Sequence, residues 1–529
     1  MSNILQWLVQ QGQGDLLHAF LLLCFPILLL FVFFFKNNNR VGNQRHHLPP
    51  SPWKFPIIGN LHQLGPLPHR NLQSLAKRYG PLMLLHLGSK PTLVVSSADA
   101  AREIMKTHDL IFSSRPDTNF GRRLSFDCKD IAVTPYGEYW RQVRRICVLH
   151  LLSTKRVQSL RPVREEETRA MTEKIQSSCS SSPSFSALVN LSEVLMSLTN
   201  DITSRVALGK KYGGDEGGGQ RFKEMMRELG YLLGVFNVGD FIPWLGWVNF
   251  VNGLEKRVEK NFIERDSFMN QVIEDHTNEK RKKEYGDDAD DSGGKDFVGS
   301  LLKIQQDNNA EIALGRDNIK AIVMDMFTGG TDTSNVLIQW TMAELLKHPE
   351  VMKEIQKELR GVARGEAIIT EDDIEQMHYL KAVIKESVRL HPPNPLLIPR
   401  ESMENVKIQG FDIPAKTTVI INAWAIGRDS VSWDEPEKFN PKRFLNDATS
   451  SIDFRGHDFQ LIPFGAGRRG CPGTQFAITI VELALANLLH KFDWILPNGA
   501  SGEDLDTTEA PGITCHLNSP LLAVATPHF

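Results

Sequence analysis

The chain has 529 residues, of which 41% are hydrophobic and 23% are charged, and its formal net charge is −3. This ordinary globular composition has no basic excess, so it gives no support to a nucleic-acid partner. Six cysteines are scattered without a CxxC pair, which argues against a disulfide framework or a zinc site and favours a reducing compartment: Cys24, Cys128, Cys147, Cys179, Cys471 and Cys515.

The N-terminus contains a nearly unbroken apolar run over residues 16–35, which is long enough to span a bilayer as a helix. Asp15 precedes the run and basic residues follow it, so the positive-inside rule places residues 1–15 in a lumen and the bulk of the chain in the cytosol. A cleaved signal peptide is the alternative, but it would have a basic segment first and a shorter apolar core. The sequence therefore predicts one uncleaved transmembrane anchor.

A polar spacer and a proline-rich hinge follow over residues 36–59, where closely spaced prolines stiffen the chain. Residues 82–95 alternate apolar residues with turn formers, which predicts a hairpin of short strands. Helical periodicity then dominates as far as Leu390. Three polar or glycine-rich stretches interrupt it, and we predict surface loops there: 177–186, 209–219 and 279–295.

One long helix is predicted over residues 317–347, and Pro349 ends it. Residues 329–334 at its middle read Gly-Gly-Thr-Asp-Thr-Ser. A glycine in a helix interior costs about 1 kcal/mol relative to alanine, so two neighbouring glycines indicate a need for room beside the backbone. A tolerated patch of small residues is the alternative interpretation.

The chain turns irregular after Pro392, with a strand predicted over residues 417–421 and a last helix over residues 474–490. No internal repeat or convincing linker divides the chain. We therefore predict that residues 60–529 form one body, mainly helical with a minor β-sheet region.

A glycine-rich loop at residues 464–473 has two interpretations. Residues 465–470 spell GxGxxG, which is the fingerprint of dinucleotide-binding folds, but only 59 residues follow Gly470 and leave no room for further βα units. The longer string presents Cys471 at the N-terminus of a helix, where the helix dipole and free N–H groups favour a thiolate. An anionic sulfur in a flexible glycine loop suits a soft metal ligand held close to a flat cofactor.

The same loop matches the pattern FxxGxRxCxG and so resembles the haem-binding signature of the cytochrome P450 superfamily at each fixed position: Phe464, Gly467, Arg469, Cys471 and Gly473. The strings at residues 112–116 and 135–141 resemble those of the plant microsomal branch. The resemblance covers the chain from the proline-rich hinge to the C-terminus. It implies the cytochrome P450 fold and a haem b cofactor whose iron is bound by the Cys471 thiolate.

The resemblance also implies roles for individual residues. Thr333 would hydrogen-bond dioxygen and Asp332 would relay protons to it. The other residues expected to bind haem are Trp140, Arg144, Arg400, Phe464 and Arg469. Glu386, Arg389 and Arg443 would form a buried ionic triad with a structural role. The expected substrate contacts are Phe120, Phe327, Gly329, Leu396, Leu397 and Ile513.

The function implied by the resemblance is insertion of one oxygen atom from O2 into a small apolar plant metabolite, such as a terpenoid, phenylpropanoid or alkaloid. NADPH would act indirectly, through a separate NADPH-cytochrome P450 reductase. The protein would be a single-pass protein of the endoplasmic reticulum membrane. A basic patch of Arg141, Arg145 and Arg468 would dock the electron donor, or is simply a solvated surface.

Two alternatives remain at this point. A haem-thiolate isomerase or dehydratase would act without external electrons, and a haem carrier or sensor would not catalyse at all. Asp332 and Thr333 favour the monooxygenase, because a proton relay is needed only when dioxygen is reduced.

Overall fold

The computed structural model describes residues 47–212, 219–284, 296–307, 314–446 and 449–528. The chain divides into the units Met1–Leu48 and Pro49–Phe529, and the second unit is described below. The predicted anchor at 16–35 and the lumenal segment at 1–15 lie outside the described residues. Within the described part of the chain, no helix combines the length and the apolar character needed to cross a membrane.

The predicted mainly helical architecture is confirmed. The α-helices are, in chain order, α1 (Pro68–Tyr79), α2 (Ala98–Arg102), α3 (Asn119–Leu124), α4 (Glu138–Ile146), α5 (Thr154–Ser159), α6 (Arg161–Ser180), α7 (Leu191–Leu208), α8 (Gly219–Gly234), α9 (Val238–Phe241), α10 (Trp247–Val251), α11 (Leu254–Glu284), α12 (Phe297–Gln306), α13 (Arg316–Lys347), α14 (Pro349–Ala363), α15 (Glu371–Ile374), α16 (His378–Leu390), α17 (Ala423–Ile426) and α18 (Thr474–Lys491). Short 3-10 turns include Pro441–Phe444 and Gly467–Arg469.

The minor β-structure forms small sheets. The strands are β1 (Leu82–Leu87), β2 (Lys90–Val95), β3 (Ala187–Asn190), β4 (Arg400–Glu401), β5 (Val406–Ile408), β6 (Phe411–Ile413), β7 (Thr418–Ile421), β8 (Phe492–Ile495) and β9 (Leu522–Pro527). One sheet has the order β1-β2-β7-β4, a second β3-β9-β8, and β5 pairs with β6. The predicted hairpin is confirmed as β1 and β2, which are antiparallel, and β7 adds in parallel to β2 with Val95 opposite Ile421.

Helix α13 is the central element of the core. It begins one residue before the predicted start and ends at the predicted residue. Pro349 ends it and begins α14, because proline disfavours a helical residue before it but suits the first turn of a new helix. Most of α13 is buried against α7 and α18, so its middle lies inside the protein.

Two of the predicted loops are partly helical. Helix α6 continues to Ser180, because Cys179 is fully buried and the hydroxyls of Ser178 and Ser180 donate to backbone carbonyls one turn earlier, which occupies them within the helix. Helix α11 continues to Glu284 through a run of lysine, arginine and glutamate, which are good helix formers. Loop composition alone was therefore misleading at both helix ends.

Candidate haem-thiolate site

The glycine loop folds back on itself and presents Cys471. The backbone N–H of Cys471 donates to the Phe464 carbonyl at 2.9 Å, and the N–H of Gly470 donates to the Gly467 carbonyl at 2.9 Å. Loss of hydration raises the pKa of the Cys471 thiol above its ordinary value, and hydrogen bonds from the N–H groups of Gly473 and Thr474 offset this only in part. Cys471 itself keeps accessible surface. Its sulfur is thus held by amides at the start of α18 and remains free to act as a ligand.

Only glycine fits at position 467. Its φ is +67°, and a Cβ there would lie 2.3 Å from the Met105 carbonyl oxygen and 2.5 Å from Asp109 Oδ1. The N–H of the next residue, Arg468, donates to Asp109 Oδ2 at 3.0 Å. The loop is therefore docked closely against residues 103–109, which fixes the direction in which Cys471 points.

The middle of α13 has one open face and one packed face. Gly329 is exposed although the helix around it is largely buried, and a Cβ at this glycine would meet no atom within 4 Å. A Cβ at Gly330 would instead lie 3.5–3.6 Å from atoms of Thr203 and Phe476. The Thr333 hydroxyl donates to the Gly329 carbonyl at 2.5 Å. Gly329 and Thr333 thus share the face that has room for a ligand.

Asp332 is bound by residues far along the chain. The Thr514 hydroxyl donates to Asp332 Oδ2 at 2.6 Å, and His516 Nε2 lies 3.1 Å from Oδ1. Burial alone would raise the pKa of Asp332, but the contacts with His516 and Thr514 outweigh it and lower the pKa below its ordinary value. The resemblance implied a substrate contact at Ile513 but did not predict the contact between Asp332 and His516.

The three arginines expected to bind haem lie in or against the cysteine loop. Arg144 Nη2 donates to the Gly470 carbonyl at 2.6 Å, and Arg400 Nη2 donates to the Ala466 carbonyl at 2.7 Å. Arg469 donates to the carbonyls of Ser113 and Thr134, both at 2.6 Å, and its guanidinium lies 4.1 Å from the ring centre of Trp140. The indole N–H of Trp140 donates to the Ile131 carbonyl at 3.1 Å.

A fourth arginine, Arg115, belongs to the same group and was not predicted. It is buried and donates to the Ala132, Ile398 and Pro399 carbonyls at 2.7–2.8 Å. Its place in the string at residues 112–116 was the available signal, but nothing in that string shows that it lies near Arg400 or Arg469.

These four arginines repel one another. Burial is the main cause that lowers the pKa of Arg115 well below its ordinary value, and repulsion by Arg469 and Arg400 adds to it. Burial, together with repulsion by Arg400, lowers the pKa of Arg469 to about 9. Among the described residues, the carboxylates that act on the group are Asp109 and Asp130. Four guanidinium groups carry more positive charge than two carboxylates can neutralise, so the group can bind further anions.

A carboxylate on α13 positions the segment that carries this group. Asp325 accepts hydrogen bonds from the N–H groups of Ile131 and Ala132 at 2.6 and 3.1 Å. Burial and the charge of Asp130 raise the pKa of Asp325 well above its ordinary value. Because the Ile131 carbonyl accepts from both Trp140 and Arg469, Asp325 links α13 to the arginine group.

The residues of the expected ionic triad lie together in the core. Glu386 and Arg389 on α16 form two hydrogen bonds at 2.7 and 2.8 Å, and Arg443 Nε lies 3.0 Å from Glu386 Oε1. The Asn440 N–H donates to the same oxygen at 2.8 Å. The guanidinium groups of Arg389 and Arg443 also donate to backbone carbonyls between residues 427 and 438. The triad thus holds the irregular segment before the cysteine loop.

The expected substrate contacts lie in different environments. Ile513 is exposed, and Leu396 and Leu397 are half-buried. Leu397 has a φ of +52°. Its side chain lies beside the glycine loop, because a Cβ added at Gly465 would be 3.9 Å from Leu397 Cδ1. Phe327 is buried and packs edge-on against Phe222 at 4.9 Å, so in this structure its ring belongs to the core. Phe120 lies in α3, but its side chain is outside the described part of the structure.

A family model described as Cytochrome P450 matches residues 49–522. The chain belongs to the cytochrome P450 family. Cytochrome P450 736A117 of Prunus mume is 52% identical over 514 residues, which are 97% of this chain and 96% of that protein. Norfluorocurarine oxidase of a Strychnos species is 50% identical over 508 residues, 96% of this chain and 98% of that protein. A zebrafish cytochrome P450 solved with abiraterone matches with a TM-score of 0.70 and 26% identity, covering 87% of this chain and 100% of that chain.

The family and fold give this cytochrome P450 its class and cofactor. It is a monooxygenase, and the fold implies haem with a cysteine thiolate ligand. Three observations fit that cofactor: Cys471 keeps accessible surface and accepts from helix N-terminal amides, α13 has an open face at Gly329, and the surplus of arginine charge suits two propionates. Cys471 would bind the iron, and Arg115, Arg144, Arg400 and Arg469 would hold the propionates.

Proposed function

We propose that this cytochrome P450 inserts one oxygen atom from O2 into a small apolar plant specialised metabolite of terpenoid, phenylpropanoid or alkaloid type. The observation that carries the proposal is the open face of α13, where Gly329 leaves room and Thr333 and Asp332 supply hydroxyl and carboxyl groups. Apolar side chains at Leu396, Leu397 and Ile513 suit a hydrophobic substrate. A relative named norfluorocurarine oxidase supports a small organic substrate.

The haem supplies the redox chemistry when bound, and the protein supplies positioning and protons. The Thr333 hydroxyl orients dioxygen, the Asp332 carboxylate relays protons towards it, and the apolar side chains around Leu397 exclude water. Electrons come from NADPH through a separate flavoprotein reductase, in our proposal. Its docking surface is formed by Arg141, Arg145 and Arg468, which are all exposed. Reduction that slows steeply with added salt would support this docking surface.

Replacing Thr333 with alanine is expected to leave haem bound and the fold intact while diverting reducing equivalents to hydrogen peroxide. Product formed per NADPH should fall about 10- to 100-fold, because a correctly placed proton-transfer group is typically worth at least this much. Product and peroxide are measured together against NADPH consumed. Thr333→Ser keeps the hydroxyl and should retain most of the coupling. Equal coupling in Thr333→Ala and the wild-type protein would reject the role of Thr333.

The substrate class is tested by incubating the protein, a plant reductase and NADPH with fractionated plant metabolite extracts. Mass spectrometry should detect compounds that gain one oxygen atom only when NADPH is present. Products of unchanged mass formed without NADPH would instead support the isomerase.

We also propose that the protein is held at the endoplasmic reticulum membrane by the segment 16–35, with the catalytic body in the cytosol. An exposed apolar surface on the described body supports this. Trp53 and Ile57 lie in the hinge, and Trp244, Trp247 and Phe250 lie around α10, where Phe250 is 77% exposed. The chain next to each group is bonded to the β1–β2 hairpin, since the Asn60 N–H donates to the His86 carbonyl and the Ser89 N–H to the Phe241 carbonyl. Large apolar surfaces rich in tryptophan suit a membrane interface.

Deleting residues 16–35 is expected to convert the protein from carbonate-resistant to carbonate-extractable in microsomes without releasing it fully. Adding Trp247→Ser and Phe250→Ser to the deletion should release most of the protein into the supernatant. Val431→Ser is the matched control, because Val431 is an exposed apolar residue outside this surface. Retention of the triple variant on the membrane would contradict the proposed surface.

A further inference from the structure

A short hairpin near the C-terminus holds Asp332. Glu509 and Leu517 form a β-bridge, and the Ala510 N–H donates to the His516 carbonyl at 2.9 Å. The His516 N–H donates to the Thr514 carbonyl at 3.2 Å, so the chain makes a tight turn between these two residues. Thr514 and His516, the two ends of this turn, both contact the Asp332 carboxylate.

The hairpin is anchored at two places, between Thr514 and His516 and at its base. Between them, the Cys515 N–H donates to the Pro393 carbonyl at 2.9 Å, and its carbonyl accepts from the Trp340 indole of α13 at 2.6 Å. At its base, Glu509 accepts from His69 and Arg70 of α1 at 2.9 and 2.5 Å. His69, Glu509 and Cys515 could in principle bind a metal ion, but Arg70 already balances the Glu509 charge. This group is therefore an anchor that fixes His516 in place.

His516 combines contact with Asp332 and access to water. The exposed fraction of the side chain is 33% for His516 and 30% for Asp332. Thr514 donates to Oδ2 of the same carboxylate. A titratable side chain that is partly in water and partly on a carboxylate has the arrangement that proton transfer requires.

We propose that His516 is a positioning residue that supplies protons to Asp332 from water. This inference rests on the proposed monooxygenase function. In each transfer the N–H bond at His516 Nε2 breaks and an O–H bond forms on Asp332, and the neutral imidazole then takes a proton from water. Thr514 keeps the carboxylate in reach by donating to Oδ2. No group is oxidised or reduced in this step, so only a proton is transferred.

The electrostatics support this arrangement. Burial would lower the pKa of His516, but the contact with Asp332 outweighs it and raises the pKa above its ordinary value. Within the described residues, Asp332 on α13 is the titratable group that acts on His516. The ionisable groups at the hairpin base, including Glu509, Cys515 and Arg70, act on one another. The contact therefore favours a protonated His516 beside an ionised Asp332.

His516→Gln is the first test, because glutamine keeps an N–H donor of similar reach but does not titrate. Product per NADPH is expected to fall about tenfold at neutral pH, the lower end of the 10- to 100-fold loss that follows removal of a hydrogen-bond partner of a metal ligand. The wild-type pH profile should show a loss of coupling as pH rises through the raised pKa of His516, and the variant should lack this step. His528→Gln removes another histidine that faces an aspartate, Asp493, and should leave both readouts unchanged.

Thermal unfolding tests the contact between His516 and Asp332 without enzyme turnover. The folded-state pKa of His516 is raised, so its stabilising effect is full below the unfolded pKa and is lost as pH rises through the folded pKa. The difference in Tm between wild type and His516→Gln should therefore be largest in mildly acidic buffer and vanish in alkaline buffer. In an Asp332→Asn background the same substitution should change Tm little at any pH.

The outcomes separate this inference from the monooxygenase function. Uncoupling by Asp332→Asn but wild-type coupling and pH profile in His516→Gln would overturn the role of His516 and leave the function standing. If His516→Gln does not fold, His516→Lys replaces it, since lysine keeps the positive charge but does not titrate near neutral pH. A wild-type pH step in His516→Lys would overturn the inference, and a profile without that step would support it.

Discussion

Replacing Glu386 with glutamine is expected to prevent accumulation of the folded haem protein. Glu386 is fully buried and its carboxylate accepts from both Arg389 and Arg443, so glutamine would leave two buried guanidinium groups without their anion. Removing one partner of a buried ion pair typically costs about 3–5 kcal/mol. That is a large part of a net folding stability of roughly 5–15 kcal/mol. Spectroscopic titration of haem in purified protein and thermal unfolding measure the loss.

The matched control is Glu354→Gln, the same substitution at a surface ion pair. Glu354 lies 3.0 Å from Lys442, beside Arg443 in sequence, and both side chains are largely exposed. Exposed pairs contribute about 0–1 kcal/mol, so this variant should accumulate normally. Similar yields and Tm values for the two variants would contradict the structural role of the triad.

Replacing Cys471 with serine is expected to abolish monooxygenation while preserving the fold. The loop is held by backbone hydrogen bonds and by the fit of Gly467, none of which uses the cysteine side chain. A serine hydroxyl is neutral at working pH, so it cannot replace the thiolate as an electron-donating ligand. Turnover should fall to background, with a Tm of the haem-free protein close to that of wild type.

Cys128→Ser is the control for this substitution. Cys128 is half-buried in the segment between α3 and α4, and its N–H donates to the Ser125 hydroxyl at 3.1 Å. This variant should retain turnover. Wild-type turnover in Cys471→Ser would show that another residue binds the iron.

Local patterns predicted those parts of the fold in which sequence neighbours determine the structure. The β1–β2 hairpin, α13 and α18 have periodic apolar residues and clear end signals, so their bounds follow within a residue or two. The ends of α6 and α11 were not predicted, because the burial of Cys179 and the helix-forming charged run outweigh a loop-like composition. The transmembrane prediction stays a prediction, since it falls outside the described residues.

The candidate site was predictable only where a motif carries it. Cys471, Thr333 and the triad have fixed spacings, so resemblance was enough to select them. The Asp332–His516 contact joins residues 184 positions apart, and Arg115 joins the arginine group only through folding. Neither has a local signal, because both depend on how the C-terminal hairpin and the segment before α4 pack on the core.

Thiolate ligation by Cys471 is tested most directly by the absorption spectrum of the reduced full-length protein under carbon monoxide. The structure predicts the long-wavelength Soret band of a thiolate-ligated haem in wild type and its absence in Cys471→Ser. A band typical of imidazole ligation in the folded wild-type protein, or an unchanged thiolate band in Cys471→Ser, would contradict the assignment of Cys471 as the iron ligand.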